Sequence, residues 1–162
     1  MSLRNPKLIE KLKKVDNLEI IESTSDVKRL SKDFYNYSPI LEEKLEGCIA
    51  DLVVRPIDKN AVLKVAEICW EFNTPLTLRG SGTGNYGQAV PLFKGIVMQM
   101  SYLNKLEKFY PDTGFIKVQS GCLMGDLNKQ LEKYGRELRL IPSTWKTATI
   151  GGFIAGGSGG IG

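Results

Sequence analysis

The chain has 162 residues, 42% of them hydrophobic and 25% charged, and its 22 basic and 18 acidic side chains leave a net charge of +4. This suits one globular domain with a buried core and argues against a nucleic-acid partner, because the one dense basic run, Lys11, Lys13 and Lys14, is flanked by Glu10 and Asp16 and reads as a solvated face. The chain has no histidine, which removes histidine general bases, histidine metal ligands and Ser-His-Asp triads within these residues.

In chain order, Leu8, Ile9 and Leu12 after Pro6 predict a short amphipathic helix, Leu18 to Ile21 a strand, and Ser25 to Phe34 a second helix. Residues 1–48 thus read as an N-terminal helical segment, and the clearer organisation, residues 49–162, begins at Ile49. The stretch "IADLVVRP" is a strand stopped by Pro56, and Asp58 is placed to cap the next helix. Val62, Val65, Ala66, Cys69 and Phe72 then recur at helical spacing, with Asn73 and Pro75 as the stop. Leu76 to Arg79 follows as a strand, completing a βαβ unit whose two strands run parallel. "GIVMQM" at 95–100 and the alternating "FIKVQ" at 115–119 predict two more strands, the latter half exposed. Leu123, Leu127, Leu131 and Tyr134 mark a helix closed by Gly135, "ELRLIP" at 137–142 reads as a short strand, and Trp70 as a packed side chain.

Two glycine clusters interrupt this pattern: "LRGSGTGNYGQ" at 78–88 and "TIGGFIAGGSGGIG" at 149–162. Each contains a formal G-x-G-x-x-G, yet the dinucleotide fingerprint needs its last glycine to open a helix, and Pro91 and Gly95 prevent one after the first cluster. No G-K-[S/T] follows, so the Walker pattern fails as well. Two readings remain for residues 80–87: a mobile surface loop, or a nest of backbone N–H groups for an anion such as a diphosphate, with Ser81, Thr83 and Asn85 adding donors. A second cluster favours the nest, since two of them can line one elongated ligand.

Cys48, Cys69 and Cys122 are far apart and without C-x-x-C spacing, so they read as free buried thiols of a reducing, cytoplasmic compartment rather than a disulfide framework or zinc site. No apolar stretch approaches the roughly 18 residues of a membrane span, and no signal peptide is visible.

"VVRPIDKNAVLKVAEICWEFNTPLTLRGSGTGNYGQAV", "GIVMQMSYLNKLEKF", "VQSGCLMGDLNKQLEKYG" and "IPSTWKTATIGGFIAGGSGG" resemble, in that order, the FAD-binding domain of FAD-linked oxidases of the vanillyl-alcohol oxidase and p-cresol methylhydroxylase type. The likeness runs from about Asp33 to Gly162 and is strongest to the glycolate and D-lactate dehydrogenase branch. It implies an α+β fold, with a small βαβ-containing subdomain of parallel strands and the start of a second, antiparallel subdomain, FAD lying between them.

The same resemblance implies that Arg79, Gly80, Ser81, Gly82, Thr83, Gly84 and Asn85 form the pyrophosphate loop. It implies that Pro142 and the turn Thr149-Ile150-Gly151-Gly152 approach the ribityl chain and flavin ring, with Gly156, Gly157 and Ser158 close by. Some relatives attach the flavin to a histidine where this chain has Thr83, so FAD here is expected to be non-covalent at that site. The chain stops where the family's larger subdomain would begin, so it is expected to be a truncated N-terminal part, with substrate-binding and catalytic residues beyond it or on a partner subunit. The expected activity of the whole is oxidation of a small 2-hydroxy acid, such as glycolate or D-lactate, by hydride transfer to flavin. The alternative is a non-catalytic half-domain, an interaction or scaffold subunit completed by a partner chain.

Overall fold

A computed structural model describes residues 5–162; of the N-terminal helical segment 1–48, residues 1–4 lie outside the described residues. Helix α1 (Pro6–Lys13) starts where Asn5 Oδ1 accepts from the Lys7 amide and Pro6 occupies the first turn, and it buries Leu8 and Leu12. Strand β1 (Leu18–Ile21), helix α2 (Thr24–Leu30), a 3₁₀ turn at Tyr35–Tyr37 and helix α3 (Pro39–Leu45) follow. Helix α3 is not predicted above: it buries no residue, so no apolar stripe announces it, and its start rests on Pro39 and the Ser38 cap.

Strand β2 (Leu52–Pro56) leads to helix α4 (Lys59–Glu71), capped by Asp58, whose Oδ1 accepts from the Ala61 amide at 2.8 Å. Asn73 ends it in the left-handed region at φ 47°. Strands β3 (Leu76–Arg79) and β4 (Ile96–Gln99) complete a four-stranded sheet of order β1-β2-β4-β3. β4 pairs in parallel with both β2 and β3, and β1 antiparallel with β2. The β2-α4-β3 crossover is therefore parallel as expected, but its two strands are not neighbours, because β4 inserts between them.

Residues on β2 and β4 alternate between the two faces of this sheet. Leu52, Val54, Ile96 and Met98 pack with α1 and α4 through Leu8, Leu12, Val65, Ile68 and Cys69, while Val53 and Val97 pack on the other face with Val27 and Leu30 of α2. Burial on both faces explains the unbroken apolar runs in the sequence. It also pushes the Cys69 thiol up to about 11, as suits a packed, unreactive side chain. Trp70, expected to pack, is 89% exposed on the outer face of α4.

Strands β5 (Leu106–Tyr110) and β6 (Phe115–Val118) form a separate antiparallel pair. Helix α5 (Met124–Glu132) packs on it through Leu127 and Leu131, together with the preceding Cys122, against Leu106, Phe109, Ile116 and Val118. The α+β architecture thus contains a parallel-strand unit and an antiparallel one. Two expectations need correction here. "ELRLIP" is not a strand; only Ile141 makes a bridge, to Ile161. Residues Ile150–Ala155 form a helix, α6, rather than a turn, with Thr149 Oγ1 capping the Gly152 amide at 3.2 Å.

Candidate functional site

Strand β3 lies at the edge of the parallel sheet, and the glycine loop leaves its C-terminal end, the side on which open α/β sheets present their ligand sites. The Met100 amide donates to Arg79 O at 2.9 Å, so β4 fixes the loop's first anchor. Arg79 itself is buried; its guanidinium turns back under the loop, with Nη1 donating to Lys32 O at 2.7 Å and Nη2 to Ser81 O at 3.3 Å. On the same inner side the Phe34 amide donates to Gly84 O at 2.8 Å.

A trans peptide points its C=O and the following N–H in opposite directions. With Ser81 O and Gly84 O held inward, the Gly82 and Asn85 N–H groups point outward. None of the backbone N–H groups from Gly80 to Asn85 donates a hydrogen bond within the described residues. No protein acceptor among the described residues takes this run of donors, and successive backbone N–H groups free of protein partners are suited to binding an anion. Gly82 is at φ 71°, and a Cβ there would strike the Arg79 guanidinium, so the residue is limited to glycine for two separate reasons.

The second wall comes from α6. A Cβ on Gly80 would collide with Thr149 Oγ1, which places the first loop against the helix cap. Between them lies an open cleft of about 320 Å³. Of the residues expected at the site, Gly80, Ser81, Gly82, Thr83 and Gly84 line it from the loop, and Pro142, Thr149, Gly152, Gly156 and Ser158 from the opposite side. The structure does not bring the other five to the cleft. Arg79 lies beneath the loop, Asn85 is exposed beyond it, Ile150 packs on the Cys122-Leu127-Leu131 core, Gly151 backs onto Ser120, and Gly157 follows the helix end.

Sequence reasoning missed Asp33, Gln88, Thr144 and Phe153, which also line the cleft. Gln88 could have been found as the polar residue next to the loop. Asp33 is far away in sequence and carries no motif. Among the described residues it is the one ionisable side chain on the cleft wall, so an anion here meets backbone N–H groups and the hydroxyls of Ser81, Thr83, Thr144, Thr149 and Ser158. The Arg79 guanidinium lies under the loop; burial pulls its pKa below the usual arginine range, and the Asp33 carboxylate opposes that shift. The wall offers binding and orientation, and no pair of groups arranged for proton transfer.

Among solved structures the chain overlays on an alkyldihydroxyacetonephosphate synthase with a TM-score of 0.81 at 21% identity, covering 96% of this chain and 32% of that one. It overlays on p-cresol methylhydroxylase with a TM-score of 0.72 at 16% identity, covering 92% of this chain and 28% of that one. These likenesses concern the fold. Among curated proteins it is 28% identical to a D-lactate dehydrogenase of Anaerostipes hadrus over 96% of this chain and 31% of the relative. It is 31% identical to the glycolate oxidase subunit GlcD of Bacillus subtilis over 68% of this chain and 24% of the relative. A D-2-hydroxyglutarate dehydrogenase of Escherichia coli matches at 37% identity over 65% of this chain and 11% of that protein. The chain therefore spans at most about a third of the length of these relatives. The family model described as "FAD binding domain" matches residues 50–162, most of the chain, and with the glycine loop, cleft and fold just described the chain belongs to that FAD-binding domain family.

Proposed function

We propose that this chain is the part of a flavoprotein that holds the diphosphate and one side of FAD, in an enzyme that oxidises a small 2-hydroxy acid. The single observation that carries the cofactor half of this reading is the run of unpartnered N–H groups from Gly80 to Asn85 beside a cleft whose far wall is α6. A diphosphate satisfies such donors, and glycine at 82 lets the backbone take φ 71° over the Arg79 guanidinium while glycine at 80 lets the loop sit against the Thr149 cap. Bound flavin would supply the hydride acceptor, and this chain's residues would hold and orient it without entering the chemistry.

The substrate half rests on the relatives, whose names (D-lactate dehydrogenase, glycolate oxidase subunit, D-2-hydroxyglutarate dehydrogenase) share a 2-hydroxy acid. Because the chain spans 31% and 24% of the first two, we assign substrate binding and catalysis to further residues of the full protein or to a partner subunit. Thr83 stands in the loop and the chain has no histidine, so we expect FAD to be held non-covalently at this site. The three free cysteines fit a reducing, cytoplasmic setting.

The test is a visible absorption spectrum of the full-length protein before and after denaturation. We expect a flavin spectrum whose chromophore separates from the denatured protein on filtration. A colourless protein that stays colourless after incubation with FAD would contradict the reading.

A further inference from the structure

Two buried side-chain atoms among the described residues have no hydrogen-bond partner: Asp33 Oδ2 and Arg79 Nε. Both side chains are more than nine-tenths buried, at 8% and 7% exposure, and they carry opposite charges. Both lie against the glycine loop: the Cβ position of Gly82 falls on the Arg79 guanidinium, and that of Gly84 is 3.6 Å from Asp33 Oδ2. A buried charged group with one polar atom left unsatisfied is costly and needs an explanation.

The segment that brings Asp33 here also supplies the loop's inner hydrogen bonds. Lys32 O accepts from Arg79, the Phe34 amide holds Gly84 O, and Asp33 Oδ1 accepts from the Tyr35 amide at 3.0 Å. Ser31 hooks the segment to the core, its Oγ donating to Val27 O and accepting from the Ala50 amide. All of Ser31 to Tyr35 precedes the stretch 50–162 matched by the family model.

We infer that Asp33 and Arg79 form a charge-balanced base beneath the 80–84 loop that sets its amide donors outward, so that the segment preceding the matched domain governs cofactor affinity. Arg79 is thus a positioning residue rather than an anion ligand. Its fork turns the Ser81 carbonyl inward and thereby the Gly82 N–H outward, and Asp33 keeps the buried guanidinium compensated while leaving the donors free. A lysine at 79 would keep the charge but could not span Lys32 O and Ser81 O with one planar group.

The inference rests on the FAD reading, and one experiment separates the two. FAD dissociation constants are measured by flavin fluorescence on flavin-stripped full-length protein, well below the melting temperature of every variant, for wild type, Arg79→Lys, Asp33→Asn and the double variant. Asp33→Asn keeps the acceptor for Tyr35 and removes only the charge. We expect each single substitution to weaken binding about tenfold or more. We expect the double variant to be no weaker than the worse single one, because the two act as a unit.

A role only in stability would lower the melting temperature and leave the dissociation constant of the folded protein unchanged. Wild-type binding with either single variant within about threefold of it, or a double variant showing the product of both losses, would overturn the inference alone. Failure of the wild type itself to bind FAD would overturn the cofactor reading. Should Asp33→Asn not fold, the doubly neutral Asp33→Asn with Arg79→Gln replaces it: about tenfold weaker binding supports the base, and binding within about threefold of wild type overturns it.

Discussion

In the loop after β3 the glycines lie outside any helix or strand, and Gly82 takes φ 71° above a buried guanidinium. In the second cluster Gly151 and Gly152 lie within α6, where each glycine weakens a helix by roughly 1 kcal/mol relative to alanine. There the need is close approach: a Cβ on Gly151 would sit 2.6 Å from Ser120 Cβ and 2.7 Å from Ser120 O. The first cluster uses glycine to free and aim backbone donors, and the second to bring a helix against the chain leading into α5. Two glycine-rich stretches therefore mark two different kinds of constraint, and substitutions should separate them.

The largest stability effect should come from Gly151→Val. The neighbouring Ser120 backbone cannot move away easily, so we expect a loss of about 1–3 kcal/mol, read as a lower melting temperature whether or not FAD is present. A variant that melts like the wild type would show that the helix shifts freely and would dissolve the contrast. Thr149→Val should cost about 1 kcal/mol by removing the cap on Gly152. Because Thr149 also lines the cleft, thermal and FAD titrations of this variant should both move, sharpening the boundary between the two roles. Trp70→Ser, at an exposed site away from both clusters, should change stability by no more than about 0.5 kcal/mol and leave FAD binding as it was. A larger change in the full-length protein would mean that the outer face of α4 is covered there.

What could be read in advance follows from how local the cause is. Helix α4 was legible because its cap, stripe and stop all lie within its own sequence, from Asp58 to Asn73. Strands β2 and β4 were legible because both faces are buried and their apolar runs are unbroken. Strand β5 was not, since Glu107 and Lys108 interrupt its apolar residues and a register shift falls between Leu106 and Lys108. Helix α6 was hidden by its own glycines, which read as a turn; it is held by the Thr149 cap and the contact with Ser120.

At the site, the loop residues could be named because they are contiguous, and the resemblance supplied Pro142 and Thr149. Asp33 was not legible, because its place under the loop depends on the path of the chain from α2 through Ser31 to the 3₁₀ turn. Arg79 could be named as part of the loop, but no sequence pattern announces its buried side chain or its hydrogen bonds to Lys32 O and Ser81 O.

The most direct test of the central claim, that the 80–84 amides hold the cofactor's diphosphate, is an FAD titration of the full-length protein carrying Gly82→Val, with its melting temperature measured alongside. The account predicts that flavin retention is abolished while the protein still folds, since the added side chain disturbs the donors and not the sheet core. FAD affinity within a few-fold of wild type in a folded Gly82→Val protein would contradict it.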